Sequence, residues 1–525
     1  MESHCILHSE LPGAGLLFTD FLYRFERVAR FYPYDPADPQ AIRRAAQRLD
    51  YPAERRARLA AALRAQNGDG EAVERLARPG TVAVVTGQQV GLLGGPAYSV
   101  YKALTALRLA RRLSEEGLPA VAVFWLATED HDIAEVNHCW VFNAEGEPVR
   151  IEASGLAADG RAAGALRVPE GVLDSLREAL GGLPFAQEAL RAAGESYAPG
   201  ASLGGAFAAL LRGLLGRWGL LCLDPLEPGV RELLAPLLAR AAEAGAELAR
   251  LVLERNAQLQ AAGYSAQVRF QPDSSLLFLL ESGRRLSLKR EGEDYVCGGR
   301  RWSASELAGR AAELSAAALL RPVVQDWALP AAAVVMGPAE IAYWAQSQPL
   351  YEALGVKAPA CVPRASWTLL DGRAARLMNR YGLQLADFFA GREALRERIA
   401  RRLIPAELEE LLRGAGAEIA GALEKLGAGL SGFDPSLARV FEQSRRKMLY
   451  QLSKIERKTG REALRRQERV AREAARLFNL VYPRRRLQER FYSILPFVAR
   501  HGPALLERLY EAVMPECRDH RVLVL

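Results

Sequence analysis

The sequence predicts an α/β fold, with an open parallel-sheet core, small β-rich insertions and a C-terminal helical arm. Two short apolar runs end at Val85 and Ala127. Polar residues follow each run, and a helical pattern connects the two. Parallel strands need such a crossover, and their carboxyl ends form the ligand crevice of an open sheet. From about Ala390 the pattern is helical with few breakers, which predicts the arm.

The composition indicates a globular chain with more than one lobe. It has 525 residues, half of them hydrophobic, and 25% are charged. No apolar run reaches the ~18 residues of a membrane span, and the first residues lack the pattern of a secretory signal. The six cysteines are scattered without a CxxC pair, so we expect reduced thiols and a cytoplasmic protein without a membrane partner.

The net charge of +7 is concentrated in one element. Between Arg445 and Arg490 there are sixteen Lys and Arg against five Glu. This basic helix is interpreted mainly as a dimerisation arm, with a nucleotide phosphate site or nucleic-acid binding as alternatives. Aromatic residues that could stack on bases are sparse along this helix from Arg445 as far as Val481, where they are Tyr450 and Phe478, so nucleic acid is not the expected partner.

The pattern divides the chain into four predicted segments. They are an N-terminal helical segment joined to the core (1–78), the core (79–390), the helical arm (391–495) and a segment that returns to the core (496–525). The core is expected to carry insertions at about 138–200 and 262–305.

The predicted elements follow in order along these segments. The core has strands over 82–85, 120–127, 219–225, 331–336 and 360–370, helices over 97–116, 229–262 and 341–346, and β-rich insertions over 138–170 and 265–301. In the arm, residues 427–432 are the predicted turn of a helical hairpin. Asp434 and Pro435 are expected to start a long helix with a narrow apolar seam that reaches Val481. A last strand is predicted over 521–525.

The loop after the first strand is the first candidate site. Its candidate ligand-binding residues are Thr86, Gln88, Gln89, Gly94 and Gly95. Neutral side chains, backbone N–H groups and a following helix N-terminus suit carboxylate or phosphate oxygens. The alternative is a polar turn. Neither the Walker A pattern nor GxGxxG is present, which disfavours nucleotide sites of those two kinds.

The first turns of the following helix carry Tyr98, Tyr101 and Lys102. Residues three and four apart share a helix face, so these side chains are predicted to point the same way. Lys102 could neutralise a carboxylate or a phosphate near the crevice. Its alternative role is that of an ordinary lysine with a buried stem.

The second strand ends in Glu129-Asp130-His131-Asp132, the strongest charge cluster of the chain. We predict His131, Asp130 and Asp132 as catalytic candidates, with a histidine or carboxylate acting as general base toward an attacking amine, and Glu129 as a binding residue. Metal binding is the less favoured interpretation because no third well-spaced ligand is visible, and no metal site is predicted. A capped helix start is the alternative without chemistry.

A later strand end repeats this arrangement with Gly337, Glu340 and Tyr343, which are further binding candidates. A negative charge in the first turn of a helix also interacts favourably with the helix dipole, and this is the alternative role of Glu340. The secondary candidates are Arg321, Gln325, Asp326, Arg364 and Ser366.

Four motifs resemble the cysteine-adding enzyme family of bacillithiol biosynthesis. They are TGQQVGLLGGPAYSVYKA, FWLATEDHDIAEVNH, GPAEIAYWAQ and LQERFYSILPF, and the resemblance covers nearly the whole chain in the same order. It implies a Rossmann-like core with two insertions and a C-terminal coiled coil that mediates homodimerisation. The overall plan is similar to class I aminoacyl-tRNA synthetases, but neither of their signature motifs is legible here.

The activity that the resemblance implies is a cysteine ligase, which joins cysteine to glucosaminyl-malate as an amide. It also implies a nucleotide pocket associated with the arm. ATP or ADP is the expected cofactor, with Mg²⁺ accompanying the nucleotide, because a carboxylate must be activated before an amine attacks it. The alternatives are an RNA-binding or scaffold protein on a synthetase-like body, and a metal-dependent hydrolase.

Overall fold

The computed structural model of the protein describes residues 3–156 and 159–525. Contacts divide the chain into two compact units. The first unit runs to Thr368 and resumes at Glu489–Leu523, and the second comprises Leu369–Gln488 and Val524–Leu525. The four segments proposed from the sequence stay a prediction.

The strands of the described residues, in chain order, are β1 Ser3–Ile6, β2 Val82–Gln88, β3 Ala120–Leu126, β4 His138–Phe142, β5 Pro148–Glu152, β6 Leu221–Leu223, β7 Ser274–Glu281, β8 Arg284–Glu291, β9 Asp294–Cys297, β10 Arg300–Trp302, β11 Leu314–Ala316, β12 Ala331–Met336, β13 Ala360–Pro363, β14 Ser366–Leu370 and β15 His520–Val524.

The α-helices are α1 Leu16–Tyr23, α2 Ala41–Gln47, α3 Ala53–Asn67, α4 Glu71–Ala77, α5 Tyr98–Glu115, α6 Ile133–Val136, α7 Val172–Leu180, α8 Ala186–Gly194, α9 Leu203–Leu215, α10 Pro228–Glu243, α11 Gly245–Ala261, α12 Ala304–Gly309, α13 Arg321–Ala328, α14 Pro338–Ala353, α15 Gly372–Tyr381, α16 Leu385–Phe389, α17 Arg392–Arg401, α18 Ala406–Phe433, α19 Leu437–Arg465, α20 Glu468–Val481, α21 Gln488–Phe491, α22 Leu495–His501 and α23 Ala504–Ala512. Within the described part of the chain, no helix combines the length and the apolar character that crossing a membrane requires.

The core of the first unit is a parallel sheet with the strand order β13-β12-β2-β3-β6. β2 and β3 pair from Val82 opposite Ala120 to Gln88 opposite Leu126. Every residue of β3 and β12 is buried, as expected for parallel strands covered on both faces. The predicted α/β class and parallel core are confirmed, and the carboxyl ends of β2, β3 and β12 lie at one edge.

The edge strand β6 is closed by a side chain rather than by another strand. The amide of Asn67, at the end of α3, donates to the Cys222 carbonyl and accepts from the Cys222 N–H, both at 2.8 Å. An exposed strand edge leaves backbone groups unpaired, and this amide satisfies them as a neighbouring strand would.

The two β-rich insertions are present. β4 and β5 form an antiparallel hairpin, and β7 to β11 form an antiparallel sheet with the order β10-β9-β8-β7-β11. The single helix predicted over 229–262 is wrong, because α10 and α11 meet at Ala244. There the Tyr295 hydroxyl donates to the Ala242 carbonyl at 2.7 Å, and a Cβ on Gly245 would overlap that hydroxyl.

The second unit contains α15 to α20, and α18 and α19 form a helical hairpin. The predicted turn over 427–432 is wrong, because these glycines lie inside α18 and the turn follows at Asp434–Ser436. A Cβ on Gly427 would lie 2.6 Å from the Phe441 ring on α19, so this glycine lets the two helices approach. The long helix predicted as far as Val481 also breaks, between α19 and α20.

Gly427→Ala should therefore destabilise the helical hairpin. We expect a free energy of unfolding about 1–3 kcal/mol below that of Gly429→Ala, because the added methyl group overpacks against Phe441. Gly429 is the matched control, since it lies in the same helix with nothing within 4 Å of its Cβ position, and both changes give the same gain in helix propensity. Urea unfolding of both full-length variants measures the difference, and equal stabilities would contradict the packing role.

Candidate functional site

A cavity of about 650 Å³ opens at the carboxyl ends of β2, β3 and β12. This volume is typical of small-molecule sites, and an open parallel sheet binds its ligands at this edge. Eleven of the residues predicted from the sequence line it: the main candidates Gln88, Gln89, Tyr98, Lys102, Glu129, Asp130, Gly337, Glu340 and Tyr343, and the secondary candidates Arg321 and Arg364.

Lys102, on α5, ties two strand ends together. Its Nζ donates to the Gly87 carbonyl at 2.7 Å and to Gln88 Oε1 at 2.9 Å, and it forms an ion pair with Glu340. Burial lowers the pKa of Lys102 to about 8, although the Glu340 carboxylate opposes the shift. All three ammonium protons are thus engaged. Because Gln88 Oε1 faces the lysine, its Nε2 donates to the Tyr98 hydroxyl at 3.2 Å.

The loop after β12 supplies the neighbouring wall. The Glu340 carboxylate accepts from the Gly337 N–H at 2.8 Å and so caps α14, while it also pairs with Lys102. One turn later, the Tyr343 hydroxyl accepts from Arg321 at 2.6 Å. Burial raises the pKa of Tyr343, so this hydroxyl is neutral at pH 7.

Gln89 joins the ends of β2 and β3. Its Nε2 donates to Asp130 and to Glu135, each at 2.6 Å, and an Nη1 of Arg285 lies 3.7 Å from Asp130. Burial alone would raise the pKa of Asp130. The hydrogen bond from Gln89 and the charge of Arg285 outweigh it, and the pKa lies below its usual range. Asp130 therefore presents a carboxylate to the cavity at neutral pH.

Glu129 forms a buried ion pair behind this carboxylate. Its Oε1 lies 2.5 Å from Arg231 Nη1, and both side chains are almost completely buried. Burial raises the pKa of Glu129, while the charge of Arg231 lowers it. Arg231 also donates to the Ala312 carbonyl at 2.9 Å, so the pair connects the end of β3 to the antiparallel insertion.

A buried ion pair between Arg364 and Glu489 supports another wall of the cavity. Two guanidinium N–H groups donate to the two carboxylate oxygens, at 2.6 and 2.9 Å. The Ser366 hydroxyl and the Trp367 N–H also donate to this carboxylate, at 3.0 and 2.9 Å. Burial opposes ionisation, but Arg364 outweighs it, and the pKa of Glu489 falls to about 2. Arg364 then lies 5.4 Å from the centre of the Tyr98 ring.

Six main candidates do not line the cavity: Thr86 and Tyr101 inside the core, Gly94 and Gly95 in the glycine-rich loop, and His131 and Asp132 beyond the end of β3. The secondary candidates Gln325, Asp326 and Ser366 do not line it either. The glycine N–H groups that we expected to bind an anion donate within the protein. Gly94 donates to the Tyr197 hydroxyl at 3.1 Å, and Gly95 to the Leu92 carbonyl at 3.0 Å. The loop is thus a structural support beside the cavity.

His131 does not line the cavity but lies against its wall, where its Nδ1 is 3.9 Å from Asp130 Oδ1. Its Nδ1 lies 3.3 Å from Arg285, and its ring centre lies 5.5 Å from that of Phe278. Asp132 is exposed. Of the three predicted catalytic candidates, the structure therefore brings Asp130 alone to the cavity wall. Their catalytic roles stay predictions.

The main residue that sequence reasoning missed is Arg285, which lies on β8 of the antiparallel insertion. Arg285 is far from the strand ends in the sequence, and no motif there indicates that it belongs to the site. Only tertiary packing brings it to Asp130. Glu135 was also missed, although its position shortly after the charge cluster could have suggested it. In the described part of the chain, no three His, Cys, Asp or Glu side chains are grouped to hold a metal ion.

Two family models match the chain. They are described as "Bacillithiol biosynthesis BshC", with an N-terminal Rossmann-like domain over residues 1–365 and a C-terminal coiled-coil domain over residues 367–525. These matches confirm the resemblance inferred from the motifs and the predicted Rossmann-like and coiled-coil regions. They give no support to the RNA-binding, scaffold or hydrolase alternatives.

Curated relatives match over full length, and each is named "Putative cysteine ligase BshC". The protein of Solibacter usitatus is 49% identical over 524 residues and that of Koribacter versatilis 36% over 537 residues, each with 100% of both chains covered. The protein of Symbiobacterium thermophilum is 34% identical over 560 residues, with 99% of this chain and 100% of the relative covered.

Replacing Glu489 by Gln should destabilise the first unit. The change leaves the buried Arg364 without a counter-charge, and breaking a buried ion pair from one side costs about 3–5 kcal/mol. Glu507→Gln is the control, since Glu507 is half-exposed and pairs with Arg217 at 3.5 Å, where we expect a loss of at most ~1 kcal/mol. Chemical unfolding of both variants at pH 7 provides the comparison. If E489Q lowers the free energy of unfolding no more than the control variant does, the Arg364–Glu489 pair does not stabilise the cavity wall.

Proposed function

The chain belongs to the BshC family of bacillithiol biosynthesis, a family of ligases, and we propose that it joins cysteine to the amino group of glucosaminyl-malate. The name of the relatives supports cysteine as one substrate. The acceptor is supported by the distribution of charge in the cavity, which suits a molecule with an amine at one end and carboxylates at the other.

This distribution of charge is the observation that carries the proposal. Above β3, the Asp130 and Glu135 carboxylates flank Gln89. Arg321 begins α13 and lines the cavity beside Tyr343 of α14, the helix that follows β12, and Arg490 lies at the cavity rim. An amine near Asp130 and a carboxylate near Arg321 correspond to the two ends of a hexosamine that carries a short dicarboxylic acid.

In the proposed complex, Asp130 orients the sugar amine for attack. Its lowered pKa makes it a permanent negative partner for the amine rather than a strong base. The nitrogen of the neutral amine then attacks the carbonyl carbon of activated cysteine, the C–N bond forms, and the activating group leaves with the electrons of the C–O bond. The nitrogen loses its extra proton to solvent or to the phosphate oxygen of the leaving group. Holding the amine in this geometry is the contribution expected of the cavity.

We further propose that ATP, with its Mg²⁺, is the co-substrate that activates the carboxyl group of cysteine. A free carboxylate is a poor electrophile at neutral pH because it is negatively charged. Mg²⁺ takes oxygen ligands, which nucleotide phosphates supply. Both an AMP-forming and an ADP-forming reaction satisfy this chemistry, and the nucleotide product distinguishes them. A cytoplasmic location is supported by the six cysteines, all of which are free.

The test of the activity is product formation by the purified full-length chain with cysteine, glucosaminyl-malate and MgATP. We expect a product with the mass of the amide, dependent on each of the three. For Asp130→Asn we expect a turnover about 10²-fold lower, because the amine is no longer held in the geometry for attack. Asp174→Asn is the matched control, since it makes the same change at an exposed carboxylate of α7 outside the cavity, and we expect an unchanged turnover. Equal effects of the two changes would contradict the role of Asp130, and no amide with any nucleotide would contradict the proposed function.

We also propose that the second unit forms a homodimer through α18 and α19. Each helix carries a row of exposed apolar side chains spaced by seven or eight residues: Leu411, Ile419 and Leu426 on α18, and Val440, Met448 and Ile455 on α19. This spacing is typical of a coiled-coil seam. Exposed apolar rows of this length mark association sites, and a second copy of the same helical hairpin presents the complementary surface.

Leu426→Glu should weaken this dimer. Leu426 is 52% exposed in the single chain, and a charge buried at its seam opposes association. Ala428→Glu places the same charge elsewhere on the same helix and should leave the association unchanged. Sedimentation velocity over a range of protein concentrations measures both variants. A monomeric unaltered protein, or an unchanged dimer in L426E, would rule out this interface.

A further inference from the structure

Most basic side chains of the cavity already have a carboxylate partner. Among the described residues, the pairs are Lys102 with Glu340, Arg285 with Asp130, and Arg364 with Glu489. Such paired cations hold the walls, and a ligand must compete with an existing ion pair to reach them. Among the described residues that line the cavity, two basic side chains remain without a carboxylate partner, Arg321 and Arg490.

Arg321 differs from these paired cations. It begins α13 and is half-buried at the cavity wall. Its Nη2 donates to the Tyr343 hydroxyl at 2.6 Å and its Nη1 to Gln325 Oε1 at 3.2 Å, and both acceptors are neutral. Within the described ranges, no carboxylate forms an ion pair with it. A guanidinium has five N–H donors, so these two bonds leave donors and a full positive charge for a ligand.

The neighbouring acid, Asp326, orients Arg321 without neutralising it. One Asp326 oxygen accepts from Gln325 Nε2 at 3.0 Å and the other from the Tyr351 hydroxyl at 2.6 Å. Because Gln325 turns its Nε2 toward Asp326, its Oε1 faces Arg321. Burial raises the pKa of Asp326 to about 7, so it carries only part of a negative charge at neutral pH.

We propose that Arg321 is the specificity-determining residue of the cavity, the one that binds a carboxylate of the substrate. The Glu340 and Asp326 carboxylates attract Arg321 from beyond ion-pair distance, but no carboxylate of the described residues pairs with it and supplies the counter-charge that buried ions in proteins normally require. A carboxylate supplies this charge and matches the planar fork of arginine through two parallel hydrogen bonds. The identification of this carboxylate as the malyl end of glucosaminyl-malate rests on the proposed function.

The other free cation is less suited to this role. Arg490 is exposed, and its guanidinium lies 5.9 Å from the centre of the Tyr98 ring at the cavity rim. An exposed ion pair contributes little to binding because solvent screens it, whereas hydrogen bonds to charged groups away from water are stronger. Because its contacts are shielded from water, Arg321 is the residue that selects the anion. Arg490 can do no more than attract the anion toward the cavity.

The test is the affinity of the full-length protein for malate alone, measured by isothermal titration calorimetry. We expect about 10–100-fold weaker binding for Arg321→Gln, and an intermediate loss for Arg321→Lys, which keeps the charge but not the fork. Arg255→Gln is the matched control, since Arg255 is also half-buried and donates to the neutral Ala345 carbonyl at 2.9 Å, but lies outside the cavity. Malate affinity that is unchanged in R321Q, or lost equally in R255Q, overturns the proposal, as does an unaltered protein that binds no malate.

A second variant covers the case in which R321Q does not fold, as judged by its thermal midpoint. Tyr343→Phe removes the acceptor that holds Nη2 but leaves the guanidinium charge, and we expect malate binding to weaken several-fold. Unchanged affinity in both Y343F and R321K then overturns the proposal. Malate binding needs neither cysteine nor nucleotide, so the two proposals can fail separately. If malate binding depends on Arg321 but no amide is formed, the proposed function is contradicted and this inference is not. Amide formation with an unchanged KM for glucosaminyl-malate in R321Q would contradict this inference alone.

Discussion

The cavity depends on the buried ion pair between Arg364 and Glu489. Burying two charges is favourable only where each finds enough partners, and the Glu489 carboxylate accepts from Arg364 twice, from the Ser366 hydroxyl and from the Trp367 N–H. Arg364 directly follows β13, whereas Glu489 lies where the chain re-enters the first unit. The pair thus fixes the end of the sheet with a residue 125 positions away in the sequence.

The segment after Glu489 also determines the conformation of the glycine-rich loop. The Tyr492 carbonyl accepts from the Ala97 N–H at 2.7 Å, and the Ser493 hydroxyl donates to the Leu93 carbonyl at 3.0 Å. Leu93 has φ of 52°, a conformation that costs energy for a residue with a branched side chain and persists where its surroundings enforce it. The N–H groups of this loop therefore form hydrogen bonds within the protein that stabilise the cavity wall. An anion in the cavity must then bind to charged side chains.

The sequence predicted those features that depend on local pattern. The β2–α5–β3 unit was located to within three residues at each end, because two buried apolar runs flank an amphipathic helix. Gln88, Gln89 and Asp130 were found at the cavity because parallel strands gather their carboxyl ends. Which members of the charge cluster reach the cavity was not predictable, since tertiary packing brings Arg285 to Asp130 and Arg231 to Glu129. The glycines of α18 were misread as a turn, because close helix packing and a turn both favour glycine.

The arrangement of paired and unpaired charges follows from what a ligase cavity requires. Lys102 with Glu340 and Glu129 with Arg231 satisfy one another, so the walls hold their positions before a ligand arrives and need not reorganise when it binds. If every charge were compensated in this way, the cavity would have no affinity for a charged molecule. Arg321 is left with neutral partners, because Gln325 orients it without cancelling its charge, whereas Asp130 both accepts from Gln89 and pairs with Arg285 at 3.7 Å. A glutamate in place of Gln325 would supply the missing counter-charge, and the cavity would lose the cation that a carboxylate requires.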